Sequence, residues 1–500
     1  MLATARTFSL LGIEVREVHV EVDVCNGGLP TFSLVGLPDP AVRESRERVR
    51  SALENSGFKF PQHRITANLA PADLRKAGPS FDLAIAAGLL AASGQLPPER
   101  LDGLSLAGEL ALDGSIRPIP GALAMAEAAA RRGTRAIAVP TANGPEAALA
   151  GGPRVVPLER LQQLRYLGTD AEPPAPPPFE LSLNGSVPGE PDLSDLRGQP
   201  YLRDALEIAA AGGHSLLIIG PPGAGKSLAA RRLPSILPPL GRADAMEVLR
   251  VASACGMLKR GTPTVRRPFR APHHTISTAG LVGGGSPPRA GEVTLAHRGV
   301  LFLDELGEFS REALEALRQP LEEGRVAITR ARGAVELPCR FTLVAASNPC
   351  PCGRGEESGE CECQPGSTRR YRAKLSGALA DRIDISVAVD RPSAQQMAAR
   401  AAADSAGVRA RVIAARERQE RRLGPGCCNA DMDLTQLRSA GLTRGARRTL
   451  AEGHAQLRLS GRGHDRVVRV SRTIADLAGS DRIETEHVAR AIGLRRRGGE

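Results

Sequence analysis

The stretch Gly220-Pro221-Pro222-Gly223-Ala224-Gly225-Lys226-Ser227 has the residue types and spacing of a phosphate cradle, G-x-x-x-x-G-K-[ST]. Glycines carry no side chain, so successive backbone N–H groups can turn inward toward phosphate oxygens. In such a cradle Lys226 reaches the β- and γ-phosphates and the Ser227 hydroxyl ligates Mg²⁺. A second set, Asp304-Glu305, follows the apolar run Val300-Leu301-Phe302-Leu303. Asp304 suits the water shell of Mg²⁺, and Glu305 suits polarising an attacking water. A third group is Asn348, whose amide can hold a γ-phosphate or that water; a turn-forming Asn before Pro349 is the alternative. The chemistry these types share is Mg²⁺-dependent hydrolysis of ATP.

Such groups need a frame that brings them together. Residues 216–219, 300–303 and 341–346 are short apolar runs, each ending at one of the three sets. They read as strands buried on both faces of a parallel sheet, whose C-terminal ends carry ligands. A helix starting at the cradle sets its positive end against the anion. Pro234, Pro238 and Pro239 predict an early end to that helix. Ser310 can cap a following helix with Leu314, Leu317 and Leu321 on one face.

Five hundred residues exceed what one core organises and indicate about three domains. Residues 1–170 mix strands (18–24, 65–69, 136–139), helices (39–53, 81–92, 122–132) and a hairpin over 104–119, an α+β pattern. Residues 171–191 are proline-rich and read as a linker. Residues 192–392 carry the three sets above. Residues 393–500 are helical, with helices predicted over 394–422 (interrupted at Gly407), 444–459, 466–478 and 485–493. The whole is predicted as an α/β core flanked by an α+β domain and a helical domain.

The formal net charge of +11 favours an anionic partner, and nucleic acid is the commonest large one; an arginine-rich proteome is the alternative. No apolar run approaches the roughly 18 residues of a membrane span, and the first residues lack a signal-peptide pattern, so a cytoplasmic protein is expected. Nine cysteines in such a chain do not suggest a disulfide framework. Cys350-Pro-Cys352 and Cys361-Glu-Cys363 offer four thiolates that suit tetrahedral Zn²⁺, with unliganded thiols as the alternative. His273 and His274 could ligate a metal, although the absence of neighbouring acids or cysteines favours a structural or DNA-facing role. Residues 325–337 alternate around a basic tip, Arg330 and Arg332, with Gly333 for the turn. Cations there suit a phosphate backbone without sequence preference; a solvated surface tip is the alternative.

Two resemblances add to this reading. Residues 107–110, 117–121, 139–140 and Asn143 resemble the Lon-protease-type (ribosomal S5 domain 2-like) fold. Gly78-Pro79-Ser80 matches the stretch holding the Lon nucleophile, but Leu123 stands where its lysine partner would be. A serine without a base is a poor nucleophile, so this domain is expected to be catalytically inactive.

The segments 267–275 (Arg-Pro-Phe-Arg-Ala-Pro-His-His-Thr), Leu281-Val-Gly-Gly-Gly, Leu317-Arg-Gln-Pro-Leu-Glu, Ser347-Asn-Pro-Cys-Pro-Cys-Gly and Leu379-Ala-Asp-Arg-Ile-Asp resemble the ComM/YifB family of magnesium-chelatase-like AAA+ proteins over nearly the whole chain. That resemblance implies a P-loop AAA+ core with a C-terminal helical lid and a ring, usually hexameric, with nucleotide between subunits. It also implies Asn348 as sensor 1, Arg382 as an arginine finger offered to a neighbour, and Arg462 as the sensor 2 arginine that closes the lid on ATP, with Arg466 and Arg469 as rivals. Two inserts, 268–297 and the 325–337 hairpin, would face the ring pore. The implied activity is a DNA-dependent ATPase that drives branch migration of single-stranded or branched DNA during natural transformation and recombination. A magnesium-chelatase-type motor subunit is the alternative.

Overall fold

The computed structural model describes residues 1–25, 29–74, 76–176, 181–183, 191–258, 264–285, 288–330, 333–355, 359–376, 379, 382–398 and 404–495. The N-terminal part is a seven-stranded mixed sheet. Its order is Thr31–Val35, Arg64–Ala70, Glu14–Cys25, Leu2–Leu11, Leu104–Leu106, Ala136–Pro140, Arg154–Leu158. Along Glu14–Cys25 the residues Val18, Val20, Val22 and Val24 turn inward, as strict alternation requires. Helix Asp82–Ala92 is buried at every position, which suits a segment apolar all round. A Cβ at Gly88 would come within 2.8 Å of Val22 Cγ2, so glycine sets how closely this helix lies on the sheet. At its start the fully buried Asp82 takes Arg48 Nε at 2.7 Å and Nη2 at 3.0 Å, the Leu110 N–H at 3.2 Å, and the Ser45 hydroxyl.

The central part is a five-stranded parallel sheet ordered Phe269–Arg270, Val300–Leu303, Thr342–Ser347, Leu216–Ile219, Ile385–Ala388. Three of these strands are the apolar runs that end at the chemical sets. Side chains from both faces enter separate cores: Leu216, Ile218, Phe302, Val344 and Ala346 pack with the helices on one side. Leu217, Leu301, Leu303, Leu343 and Ala345 pack on the other. The C-terminal helices Ser405–Leu423, Arg444–Gln456, Gly461–Leu477 and Thr485–Gly493 share the first of these cores. The first three start at Asp404, Thr443 and Ser460, each accepting a backbone N–H three residues on.

Several sequence expectations are corrected. The hairpin is confined to Glu109–Leu110 and Ile116–Arg117, while Leu104–Leu106 joins the large sheet. Gly108 lets the chain turn there, since a Cβ would meet Ile116 Cγ2 at 2.9 Å. The helix after the cradle, Lys226–Ile236, does end early, just before Pro238 and Pro239, although it takes in Pro234 in its last turn. The expected helix over 394–422 is two, Ala394–Ala398 and Ser405–Leu423, with Gly407 inside the second as the residue capped by Asp404. Strand Leu2–Leu11 and helix Arg242–Ala254 were not predicted. Within the proline-rich linker, Ser182–Leu183 forms a short parallel strand with Thr264–Val265, and Leu181 and Leu183 pack beside Leu123, Leu240 and Leu249.

Candidate nucleotide site

The strand Leu216–Ile219 ends at Gly220, which accepts no side chain: a Cβ there would lie 2.3 Å from the Val389 carbonyl oxygen. The loop then turns through Gly223 and Gly225, with φ of 83° and 86°, a region that favours glycine. Gly225 leads directly into helix Lys226–Ile236, so the loop's backbone and the helix start face one pocket of about 520 Å³. Pro222 through Ser227 line it; Gly220 and Pro221 instead present carbonyls to Lys226 Nζ, at 2.5 and 3.0 Å.

The other two sets meet the same pocket. Ser227 Oγ donates to Asp304 Oδ2 at 2.6 Å, and Lys226 Nζ donates to Asn348 Oδ1 at 3.0 Å. Burial pushes the Lys226 ammonium below its ordinary range, opposed by the nearby Asp304 and Glu305 carboxylates. A half-buried cation at the end of a glycine loop that leads into a helix start fits an anion. The hydroxyl and carboxylate oxygens of Ser227 and Asp304 are the hard donors that Mg²⁺ takes, so the residues present fit Mg-nucleotide.

Glu305 reaches the pocket mouth in a left-handed conformation, φ 52° and ψ 49°, and its N–H donates to Asp304 Oδ1 at 3.0 Å. His274 Nδ1 lies 3.4 Å from Glu305 Oε2. The ring of His274 lies tilted against His273, with centroids 4.1 Å apart, and meets Phe309 edge-on at 6.5 Å. The sequence offered no sign of this contact between the histidine and the pocket's carboxylate. Leu196, Gln199, Pro392 and Met397 complete the pocket on its apolar side and carried no motif in the sequence.

Arg382 and Arg462 do not line this pocket. Both point to Glu322 Oε1, at 2.7 and 3.1 Å, on a second cavity of about 610 Å³ that Arg466 and Arg469 also line. Arg462, implied as the sensor 2 arginine on ATP, meets Glu322 in the single chain. Helix Gly461–Leu477 carries Arg466, whose Nε lies 3.5 Å from Asp384 Oδ1. Burial alone would raise the Asp384 carboxyl, but His214, Arg466 and the Ser215 N–H outweigh it and hold it at about 2.

The hairpin is present as Arg325–Arg330 paired with Gly333–Pro338. Arg332 and the side chain of Arg330 lie outside the described residues. The apolar face of the hairpin, Val326, Ile328, Val335 and Leu337, packs with Leu11 and Ile13 of the N-terminal sheet. The four cysteines 350, 352, 361 and 363 come together, their Sγ atoms all within 4.8 Å of one another. In the N-terminal domain Leu123 is fully buried against Leu240, Ala245 and Leu249. No base occupies its position for Ser80.

The family described as magnesium chelatase, subunit ChlI, matches residues 192–397. Related descriptions, subunit ChlI of Mg-chelatase and its C-terminal part, match residues 20–143 and 402–495. The protein YifB of Salmonella typhimurium is 42% identical over 500 residues, covering 99% of this chain and 97% of that one. The competence protein ComM of Haemophilus influenzae is 41% identical over 502 residues, with 99% and 97% covered. The magnesium-chelatase 38 kDa subunit of Cereibacter sphaeroides is 28% identical over 218 residues, 40% of this chain and 59% of that one.

Proposed function

The chain belongs to the ComM/YifB family of magnesium-chelatase-like proteins, and from that premise we propose that it is an ATP-hydrolysing ring motor that moves DNA in the cytoplasm. The observation that carries the ATPase is the hydrogen-bonded set Lys226–Asn348 and Ser227–Asp304, with Glu305 at the same pocket mouth. The loop N–H groups and Lys226 bind the phosphates, and Asn348 orients the terminal one. Ser227 and Asp304 would hold Mg²⁺, which would supply neutralisation of the phosphate charge. Leu196, Pro392 and Met397 offer the apolar side that a purine ring needs. Glu305 takes a proton from water as the water oxygen bonds the γ-phosphorus; the bond to the bridging oxygen breaks, releasing ADP and phosphate.

Arg382, facing away from its own pocket, serves as the finger for an adjoining protomer, and Arg462 serves the same neighbouring site. The ring, a hexamer in this reading, carries Arg330 and Arg332 toward a central DNA strand. The N-terminal domain 1–170 is a Lon-like support without proteolytic activity, consistent with the buried Leu123. Residues 393–500 act as the helical lid. The net charge of +11 and the likeness to a competence protein support DNA as the cargo, and branch migration in transformation and recombination as the process.

The test measures ATP hydrolysis by the purified chain with no DNA, with single strands and with a synthetic four-way junction. DNA is expected to stimulate turnover and the junction to migrate. Glu305→Gln is expected to keep ATP binding and lose turnover by at least about 100-fold. Hydrolysis indifferent to all DNA forms would favour a chelatase-type motor acting on a protein partner.

A further inference from the structure

The loop after strand Thr342–Ser347 joins no apolar cluster: among its described residues, 349–355 and 359–364, Cys350 is the one buried side chain, and it packs in none of the hydrophobic clusters. What it has instead is sulfur. Cys350 Sγ lies 3.3 Å from Cys352 Sγ and 3.7 Å from Cys361 Sγ, and Cys352 Sγ lies 3.8 Å from Cys361 Sγ. These separations exceed the roughly 2.05 Å of a disulfide. They approach the edge of a thiolate tetrahedron around zinc, about 3.8 Å for Zn–S bonds of about 2.3 Å.

The surroundings are those of metal-bound thiolates. The N–H of Cys352 donates to Cys363 Sγ and that of Gly355 to Cys350 Sγ, both at 3.3 Å. Gly353 and Gly355, with φ of 82° and 81°, make the tight turn that brings those N–H groups round. Arg354 ties the two Cys-x-Cys arms together through Glu362 at 2.5 Å.

The same turn touches the nucleotide pocket. A Cβ on Gly353 would lie 2.8 Å from Pro222 Cδ, so the backbone of the turn rests on the phosphate loop. Asn348, two residues before Cys350, accepts from Lys226. We propose that Cys350, Cys352, Cys361 and Cys363 hold one zinc ion in a closed four-thiolate site, and that this ion braces Asn348 and the Pro222 side of the phosphate loop. Only the consequence for nucleotide rests on the ATPase reading; the metal and the brace do not.

The test uses the full chain purified without added metal. Elemental analysis is expected to find about one zinc per chain, lost in Cys363→Ser and kept in Cys25→Ser, which alters an exposed cysteine elsewhere. Cobalt exchanged into the unaltered protein is expected to give thiolate charge-transfer bands and the intense visible bands of tetrahedral coordination. Hydrogen exchange before and after chelation reads the brace. Protection is expected to fall at residues 220–227 and 342–348 and to hold at 64–70 in the N-terminal sheet. ATP affinity is expected to fall about tenfold in parallel. A chain with neither zinc nor a thiolate cobalt spectrum overturns the site. A zinc chain whose exchange at 220–227 ignores chelation overturns the brace. A metal-loaded, braced chain that binds no ATP overturns the ATPase reading alone.

Discussion

Glu305 is held in a left-handed conformation that costs a non-glycine residue about 1 kcal/mol, and His274 is the side chain that meets it there. The contact follows from register. Arg270 pairs with Leu301 in parallel strands, and four residues further along each strand's exit stand His274 and Glu305. His274→Ala is expected to lower kcat about tenfold while ATP affinity stays within about twofold, because the ring orients the carboxylate and touches no phosphate-binding group. Steady-state kinetics beside an equilibrium nucleotide titration separates the two. The phosphate-binding residues were legible in the sequence because their spacing is local. The role of His274 was not, since nothing local reveals which strand lies beside residues 269–270. Which cavity Arg462 lines was hidden for the same reason: a motif names a residue type, but where it points depends on how residues 393–500 pack.

At the scale of elements, helix Asp82–Ala92 shows how one buried charge fixes a position. Asp82 joins the helix start to Arg48 on Pro40–Asn55 and to the Leu110 backbone. Asp82→Ala leaves the Arg48 guanidinium without its carboxylate and is expected to destabilise the N-terminal domain by about 3–5 kcal/mol, read by denaturant unfolding. ATP turnover in the folded fraction is expected to be unchanged. The parallel strands 216–219, 300–303 and 342–347 were readable as apolar runs, because burial on both faces leaves no alternation to find. Leu2–Leu11 escaped notice: its burial alternates to Thr7, but the buried positions include polar Thr7 and Ser9, and Thr7, Phe8 and Ser9 are buried in succession. The Pro-rich linker hid a strand because Ser182–Leu183 pairs with a segment some 80 positions away, a contact no local composition encodes.

At the scale of the whole molecule, the two cavities lie apart, one bearing Lys226 and Glu305 and the other Arg382 and Arg462. If a working site needs one of each from different chains, Glu305→Gln and Arg382→Ala chains should each be inactive alone. Mixed, they should recover a clear fraction of turnover, since some junctions unite an intact Glu305 with an intact Arg382. Turnover measured across mixing ratios checks this, and a flat zero at every ratio would place both groups in one chain. Glu322 gives that arrangement a further consequence. Its single carboxylate satisfies both arginines while the chain is on its own. In that arrangement a neighbour's triphosphate would compete with one glutamate for two guanidinium groups, so that the loss of Glu322 would release both arginines together.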